Sequence, residues 1–249
     1  MISTSTATTA ARAAGVAVLA GAAALGLATG MTVGPAMGTA QAAPHPPNPP
    51  NSWGTLYGDP EAAAPFWRNQ TYDDDCVPMA VADVVGQLTG NQPSELAVVE
   101  VAHSTPSTVH SGPIYTKPGK RQHGDGTSFN DEPVLLAHYG IHAVSTSKDK
   151  ATKTGVPTGM EALEQALAKG RKVIAAVNAE LIWREPVKDK TKEGNPDANH
   201  AVVVTGVDTA RGLVHLNDTG NKKGRDEKVP IDIFISSWDT SGDQMTVTS

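Results

Sequence analysis

The chain has 249 residues, 39% of them hydrophobic and only 4% aromatic, with 20 Lys and Arg against 26 Asp and Glu. The resulting formal charge of -6 argues against nucleic acid or an anionic lipid surface as the main partner. One cysteine cannot form an internal disulfide, so Cys76 is a buried small hydrophobe, an intermolecular link or a reactive thiol.

The N-terminus reads as a targeting segment. Arg12 supplies a positive start, residues 13–27 are weakly apolar, and Ala40-Gln41-Ala42 is the small-residue pattern that signal peptidase cleaves. The apolar window is poor in Leu, Ile and Phe and contains several glycines, which argues against a retained membrane span. Residues 1–42 are therefore expected to be a secretory signal peptide cleaved near Ala42. The mature chain would be extracellular or in the cell envelope, with no membrane association and a charge of about -7. Residues 43–51 (Pro44, Pro46, Pro47, Pro49, Pro50) form an expected extended leader. Residues 52–249 are enough for one domain with a substantial core.

Trp53, Tyr57, Phe66 and Trp67 suggest an N-terminal arm packed on that domain. Val77, Val81, Val84, Val85 and Leu88 recur at helical spacing, with Pro78 near the start and Gly90 as the stop, so a helix is predicted over 77–88. A second is predicted over 94–102. Residues 104–131 carry Pro, Gly, Ser and His throughout and read as a long loop, a length that tends to be functional. Asp131 is expected to cap a helix running to His138 and ended by Gly140, and 159–169 predicts a further helix stopped by Gly170. The pattern then changes to short β-branched runs at 172–177, 201–207, 213–216 and 244–248, with a mostly polar stretch over 180–199. Helices followed by strands imply an α+β domain with a mainly antiparallel sheet. No internal repeat is present, and nothing points to an oligomeric state.

Cys76 falls at the predicted helix start, where the positive end of the peptide dipoles favours a charged thiolate nucleophile. The carboxylates of Asp73, Asp74 and Asp75 immediately before it oppose that charge unless they point outward or cap the helix. Position alone leaves a structural core thiol equally open. His200 begins an apolar strand from whose end its imidazole can act as general base and acid. Asp218 follows the next strand, joined to the first by the turn at 208–212. A hairpin sets these two strands side by side, so Asp218 can orient His200, though Asn217-Asp218-Thr219-Gly220 is also an ordinary turn sequence. Gln70, six positions before Cys76, can pair its amide with the Cys76 N–H as an oxyanion hole. Trp183 is a candidate wall for an apolar substrate side chain, or else a packed loop residue. His110 and His123 could line a rim or bind metal. Gly140 interrupts the His138/His142 spacing, and no C-x-x-C or H-E-x-x-H pattern occurs, so no metal or other cofactor is expected.

The order Gln70, Cys76, His200, Asp218 resembles the papain-like cysteine peptidases. Within them the chain is most similar to secreted stand-alone members of the bacteriocin-processing, double-glycine-type peptidase family. The resemblance spans residues 70–220 and is carried by Asp75-Cys76-Val77-Pro78-Met79-Ala80, by Gly126-Thr127-Ser128 and by His200-Ala201-Val202-Val203-Val204-Thr205-Gly206-Val207-Asp208. It implies a papain-like fold, with Cys76 as nucleophile, His200 as base, Asp218 as orienter and Gln70 as oxyanion donor. Val77 departs from the family's usual glycine after the cysteine, and no transporter modules are present. The expected activity is thiol-dependent hydrolysis of peptide or amide bonds, on peptides or cell-wall-derived substrates. The alternatives are an inactive secreted binding protein on the same fold and transglutaminase-like acyl transfer.

Overall fold

A computed structural model describes residues 54–117 and 126–249. The expected signal peptide, the leader, Trp53 and His123 lie outside the described residues.

The chain enters through β1 (Leu56–Gly58) and the short α1 (Pro60–Ala63), which Asp59 starts by accepting a bond from the Ala62 N–H at 3.0 Å. α2 (Cys76–Thr89) is a long buried helix that ends at Gly90 in the left-handed region, where a glycine carries no Cβ penalty. α3 (Glu95–Ser104) begins at Ser94, whose hydroxyl accepts from the Ala97 N–H at 3.2 Å.

α4 (Glu132–His138) follows the long loop, and here one expectation changes. Asp131 precedes the helix but makes no side-chain cap. Its carboxylate instead accepts from Ser107 Oγ (2.6 Å), Thr108 N (2.9 Å) and Thr108 Oγ1 (2.8 Å). It fastens the loop, because two hydroxyls and an N–H outcompete a single N–H of its own helix.

The remaining elements are β2 (Ala143–Thr146), α5 (Ala151–Thr154), α6 (Met160–Ala168), β3 (Val173–Val177), α7 (Ala179–Trp183), β4 (His200–Asp208), β5 (Leu213–Asn217), β6 (Glu227–Pro230), α8 (Ile231–Asp239) and β7 (Met245–Thr248). The strands form one sheet in the order β2-β7-β3-β4-β5-β6, with β1 added to the far end of β4. Each pairing among them is antiparallel. The domain is thus the α+β, papain-like architecture expected, with two refinements. Seven elements (β1, α1, β2, α5, α7, β6, α8) were not foreseen, and helices cover both faces of the sheet rather than one.

β4 shows why both faces are covered. All nine of its residues are buried. Ala201 and Val203 join the core under α2, α3 and α4, while Val202, Val204 and Val207 join a second core with Leu163 of α6 and Phe234 and Trp238 of α8. A strand apolar on both faces cannot leave either one wet. Each fully buried valine is worth roughly 1.5–3 kcal/mol of transfer free energy. Among the described residues, no helix is long and apolar enough to cross a membrane.

Candidate active site

Cys76 is the first residue of α2 and is 9% exposed, while Val77, Pro78 and Met79 after it are buried. No side chain caps this end. The first intrahelical bond runs from Met79 N to Asp75 O, and Pro78 has no N–H, so the first turn presents the N–H groups of Cys76 and Val77.

His200 begins β4, paired across from Val177, and Asp218 follows the last residue of β5. Antiparallel pairing of β4 with β5 sets Val203 opposite Asn217, which brings Asp218 back alongside the start of β4. The His200 Nε2 lies 2.7 Å from Asp218 Oδ1, with both side chains buried. An ionised carboxylate only accepts, so Nε2 carries a proton toward Asp218 and Nδ1 is the nitrogen left for a second partner. Cys76 interacts with the same ring and favours its charged form.

Burial works against a charged imidazole, but the charge of Asp218, its hydrogen bond and the Cys76 sulfur outweigh burial and push His200 well above the usual histidine range. Burial likewise opposes charge on Asp218. His200, the Trp183 Nε1–H (2.8 Å to Oδ2) and the Gly220 N–H (2.8 Å to Oδ1) overcome it and hold this carboxyl below the usual range.

Trp183 ends α7, and its ring lies 5.5 Å from the His200 ring at 57°. It is both a lid on the His200–Asp218 pair and a wall of a cleft of about 790 Å³ that runs past Gly220 to Arg184, Glu185, Lys222 and Lys228. Gly220 is there for close approach: a Cβ on it would fall 2.9 Å from His200 Cε1 and 3.1 Å from Trp183 Cζ2. On the far side of Asp218, Glu227 is pushed up to about 7 by burial and by the charge of Asp218.

Gln70 is held against the turn that carries Asp218. Its N–H donates to Thr219 O (2.9 Å), its Oε1 accepts from Thr219 Oγ1 (2.9 Å), and its Nε2 donates to Tyr72 O (2.8 Å). Asn69 Nδ2 reaches Thr219 O at 2.7 Å, and Trp67 Nε1 reaches Asp218 O at 2.6 Å. The arm at 67–70 is thereby stitched to residues 218 and 219, which joins the segment leading to Cys76 with the sheet end holding Asp218. Of the aromatic residues expected to form an N-terminal arm, Trp67 is held through its N–H and has Arg225 over its ring.

The acidic run before Cys76 separates into three environments. Asp73 is exposed, Asp74 accepts from the Tyr115 hydroxyl at 2.7 Å, and Asp75 is fully buried. Of the other histidines, His103 and His110 bond to backbone carbonyls, and His138 packs on the Tyr139 ring. No group of three or more His, Cys, Asp or Glu is arranged to hold a metal among the described residues.

Sequence reading missed Gly220, Thr219 and the Trp183 bond to Asp218. The glycine two positions after Asp218 was the available signal, since an aspartate often bonds the N–H two residues on.

The profile of the peptidase C39-like family matches residues 64–246, and the chain belongs to that family. It is a papain-like fold of the cysteine peptidase kind. An uncharacterised protein of Mycobacterium tuberculosis, Rv1268c, is 59% identical over 199 residues, covering 79% of this chain and 85% of the relative. An uncharacterised protein of Mycobacterium bovis, Mb1299c, matches with the same figures. A solved structure described as a C39-like peptidase from Bacillus anthracis superposes with a TM-score of 0.55 at 18% identity, over 78% of this chain and 98% of that one.

Proposed function

We propose that the chain is a secreted cysteine peptidase in which Cys76 attacks, His200 moves the proton and Asp218 orients the imidazole. The observation that carries this reading is the buried His200–Asp218 bond through Nε2, which leaves the other ring nitrogen for a thiol at a helix start. Because its surroundings favour the charged ring, His200 holds the Cys76 proton on Nδ1 as an imidazolium, and the thiolate left beside it attacks the substrate carbonyl. The Cys76 N–H and the second Nε2 hydrogen of Gln70 are the donors assigned to the developing oxyanion in this reading. His200 then protonates the departing amine, and water, activated by the same nitrogen, hydrolyses the thioester.

The inactive-scaffold alternative needs Cys76 and His200 out of reach of each other, and their interaction speaks against it. The cleft beside Trp183 and Gly220, with charges of both signs on its walls, suits the polar backbone and side chains of a peptide. Peptides, cell-wall cross-bridges among them, are the proposed substrates. Secretion rests on the charged, apolar and small-residue order of residues 1–42.

The test is a peptide library incubated with the protein and with Cys76→Ala, cleavage being read by mass spectrometry. New termini with the unaltered protein and none with Cys76→Ala are expected. Equal cleavage by both would contradict the reading. An added amine in the same assay distinguishes acyl transfer from hydrolysis.

A further inference from the structure

Asp75 is the residue before Cys76 and has no solvent exposure. Neither of its carboxyl oxygens accepts a hydrogen bond from any N–H or O–H donor. It does not cap α2, although it stands in the position where an aspartate commonly would. Its side-chain partner is another acid, Glu95 in the first turn of α3. Two carboxyl groups can hydrogen-bond only if one of them keeps its proton.

The surroundings decide which one does. Glu95 accepts from Thr71 N at 2.5 Å and from Thr71 Oγ1 at 2.6 Å, and also from the Tyr72 N–H. Burial opposes charge on Glu95, but these donors, together with Asp75, hold its carboxyl below the usual range. Asp75 has nothing comparable, and an ionised carboxylate buried without donors costs several kcal/mol. The charge therefore sits on Glu95 and the proton on Asp75.

We propose that Asp75 is a neutral carboxylic acid and a positioning residue for the peptidase reaction. Its O–H donates to Glu95, and Glu95 grips Thr71, so that the Gln70 loop is fixed against the helix start bearing Cys76. The proposal rests on the reading of Cys76 and Gln70 given above and adds a part to it. It also accounts for how a thiolate can follow three aspartates in sequence. Asp73 is exposed, Asp74 is turned to Tyr115, and Asp75, the buried one of the three, carries no charge.

Burial first, then the Glu95 bond, then the charges of Glu95, Cys76 and Asp74 push Asp75 up to about 9. Tyr115 also faces it, and burial and the bond to Asp74 raise Tyr115 as well. Ionisation of Asp75 would set two carboxylates against each other and release Thr71. The neutral state is thus the one that keeps the loop in place.

The test uses Asp75→Asn and Asp75→Ala, with two readouts. The first is the infrared difference spectrum between the unaltered protein and Asp75→Asn at neutral pH. A protonated carboxyl stretch present only in the unaltered protein is expected, and its absence overturns the proposal whether or not any peptide is cleaved. The second is kcat and KM across pH on a peptide found by the library screen. Asp75→Asn, whose amide can donate to Glu95 and never ionises, should keep activity within about threefold at neutral pH. It should also lose less activity than the unaltered protein above about pH 9. Asp75→Ala should lose about tenfold or more in kcat with little change in KM. An Asp75→Asn loss as deep as that of Asp75→Ala, with an unchanged alkaline limb, would mean that the charge of Asp75 is needed and would overturn the proposal. Complete inactivity of the unaltered protein counts against the peptidase reading, and the infrared result still decides the state of Asp75.

Discussion

Two buried aspartates flank the candidate nucleophile and differ in one respect. Asp218 receives hydrogen bonds from Trp183, from Gly220 and from His200, whereas Asp75 receives none and faces a carboxylate. Both are fully buried, so desolvation pushes each towards the neutral acid. Donors reverse that push for Asp218 and leave it unopposed for Asp75. Burial alone does not assign a charge state; the count of donors around the buried group does. The consequence is functional. In the proposed mechanism the charged carboxyl lies against the imidazole it would orient, and the neutral one precedes the sulfur whose negative charge it would not oppose.

Exchanging the charge of Asp218 for a neutral amide should have the largest effect. Asp218→Asn keeps the shape but puts an NH2 or a weaker acceptor against Nε2, and the other tautomer of His200 becomes competitive. Loss of peptidase activity on the order of 10⁴-fold is expected, as for orienting carboxylates in comparable triads. Unchanged kcat/KM would remove Asp218 from the mechanism. Gly220→Ala should rank next. Its Cβ would meet the His200 ring at 2.9 Å and Trp183 at 3.1 Å, and both lie on the Asp218 side of the site. A displaced imidazole should cost about a hundredfold in kcat while a thermal melt moves little. A large fall in Tm with kcat retained in the folded fraction would show Gly220 to be structural only.

Glu132 carries the same comparison away from the loop. It begins α4, is 2% exposed and has an Oε1 without a donor. Burial first, and the Cys76 charge after it, push its carboxyl up to about 8, from 4.5 for the unperturbed group. The folded chain then holds a proton that the unfolded chain releases. The stability this contributes is complete below the unfolded value and is lost as pH rises through the folded value. Glu132→Gln should therefore flatten the decline of Tm between about pH 5 and pH 9, with a gain on the alkaline side on the order of a few kcal/mol at most. A decline as steep in the variant as in the original would place the titrating group elsewhere.

How far the sequence could be read follows from which interactions are local. The helix at 77–88, the strands around 173–177, 201–207 and 213–216, and the hairpin linking His200 to Asp218 all rest on periodicity and turn chemistry within one segment. β1 and β2 are short strands whose partners lie far along the chain, Leu56 opposite Asp208 and Ala143 opposite Thr248, while β6 is only four residues long. Such pairing leaves little local trace. α7 is five residues long and its helical spacing is too brief to separate from a loop, yet it delivers Trp183 to Asp218.

Asp131 looked like a helix cap because the cap pattern is local, and the stronger donors came from residues 23 and 24 positions away. Candidates for the nucleophile, base, orienter and oxyanion residue could be named by type and order, and the fold joins two of them, His200 and Asp218. Their charge states were not legible, because those depend on donors brought in by folding. Asp75 is the sharpest case: in sequence it is one of three like acids, and in the fold it is unlike both neighbours.

The central claim is that His200, oriented by Asp218, activates Cys76. The most direct measurement is the rate of Cys76 alkylation by iodoacetamide as a function of pH, in the unaltered protein and in His200→Ala, against a free thiol. The account predicts that Cys76 in the unaltered protein reacts faster than the free thiol at neutral pH and that His200→Ala removes this advantage. A Cys76 that is unreactive in the folded protein, or that reacts equally with and without His200, would contradict it.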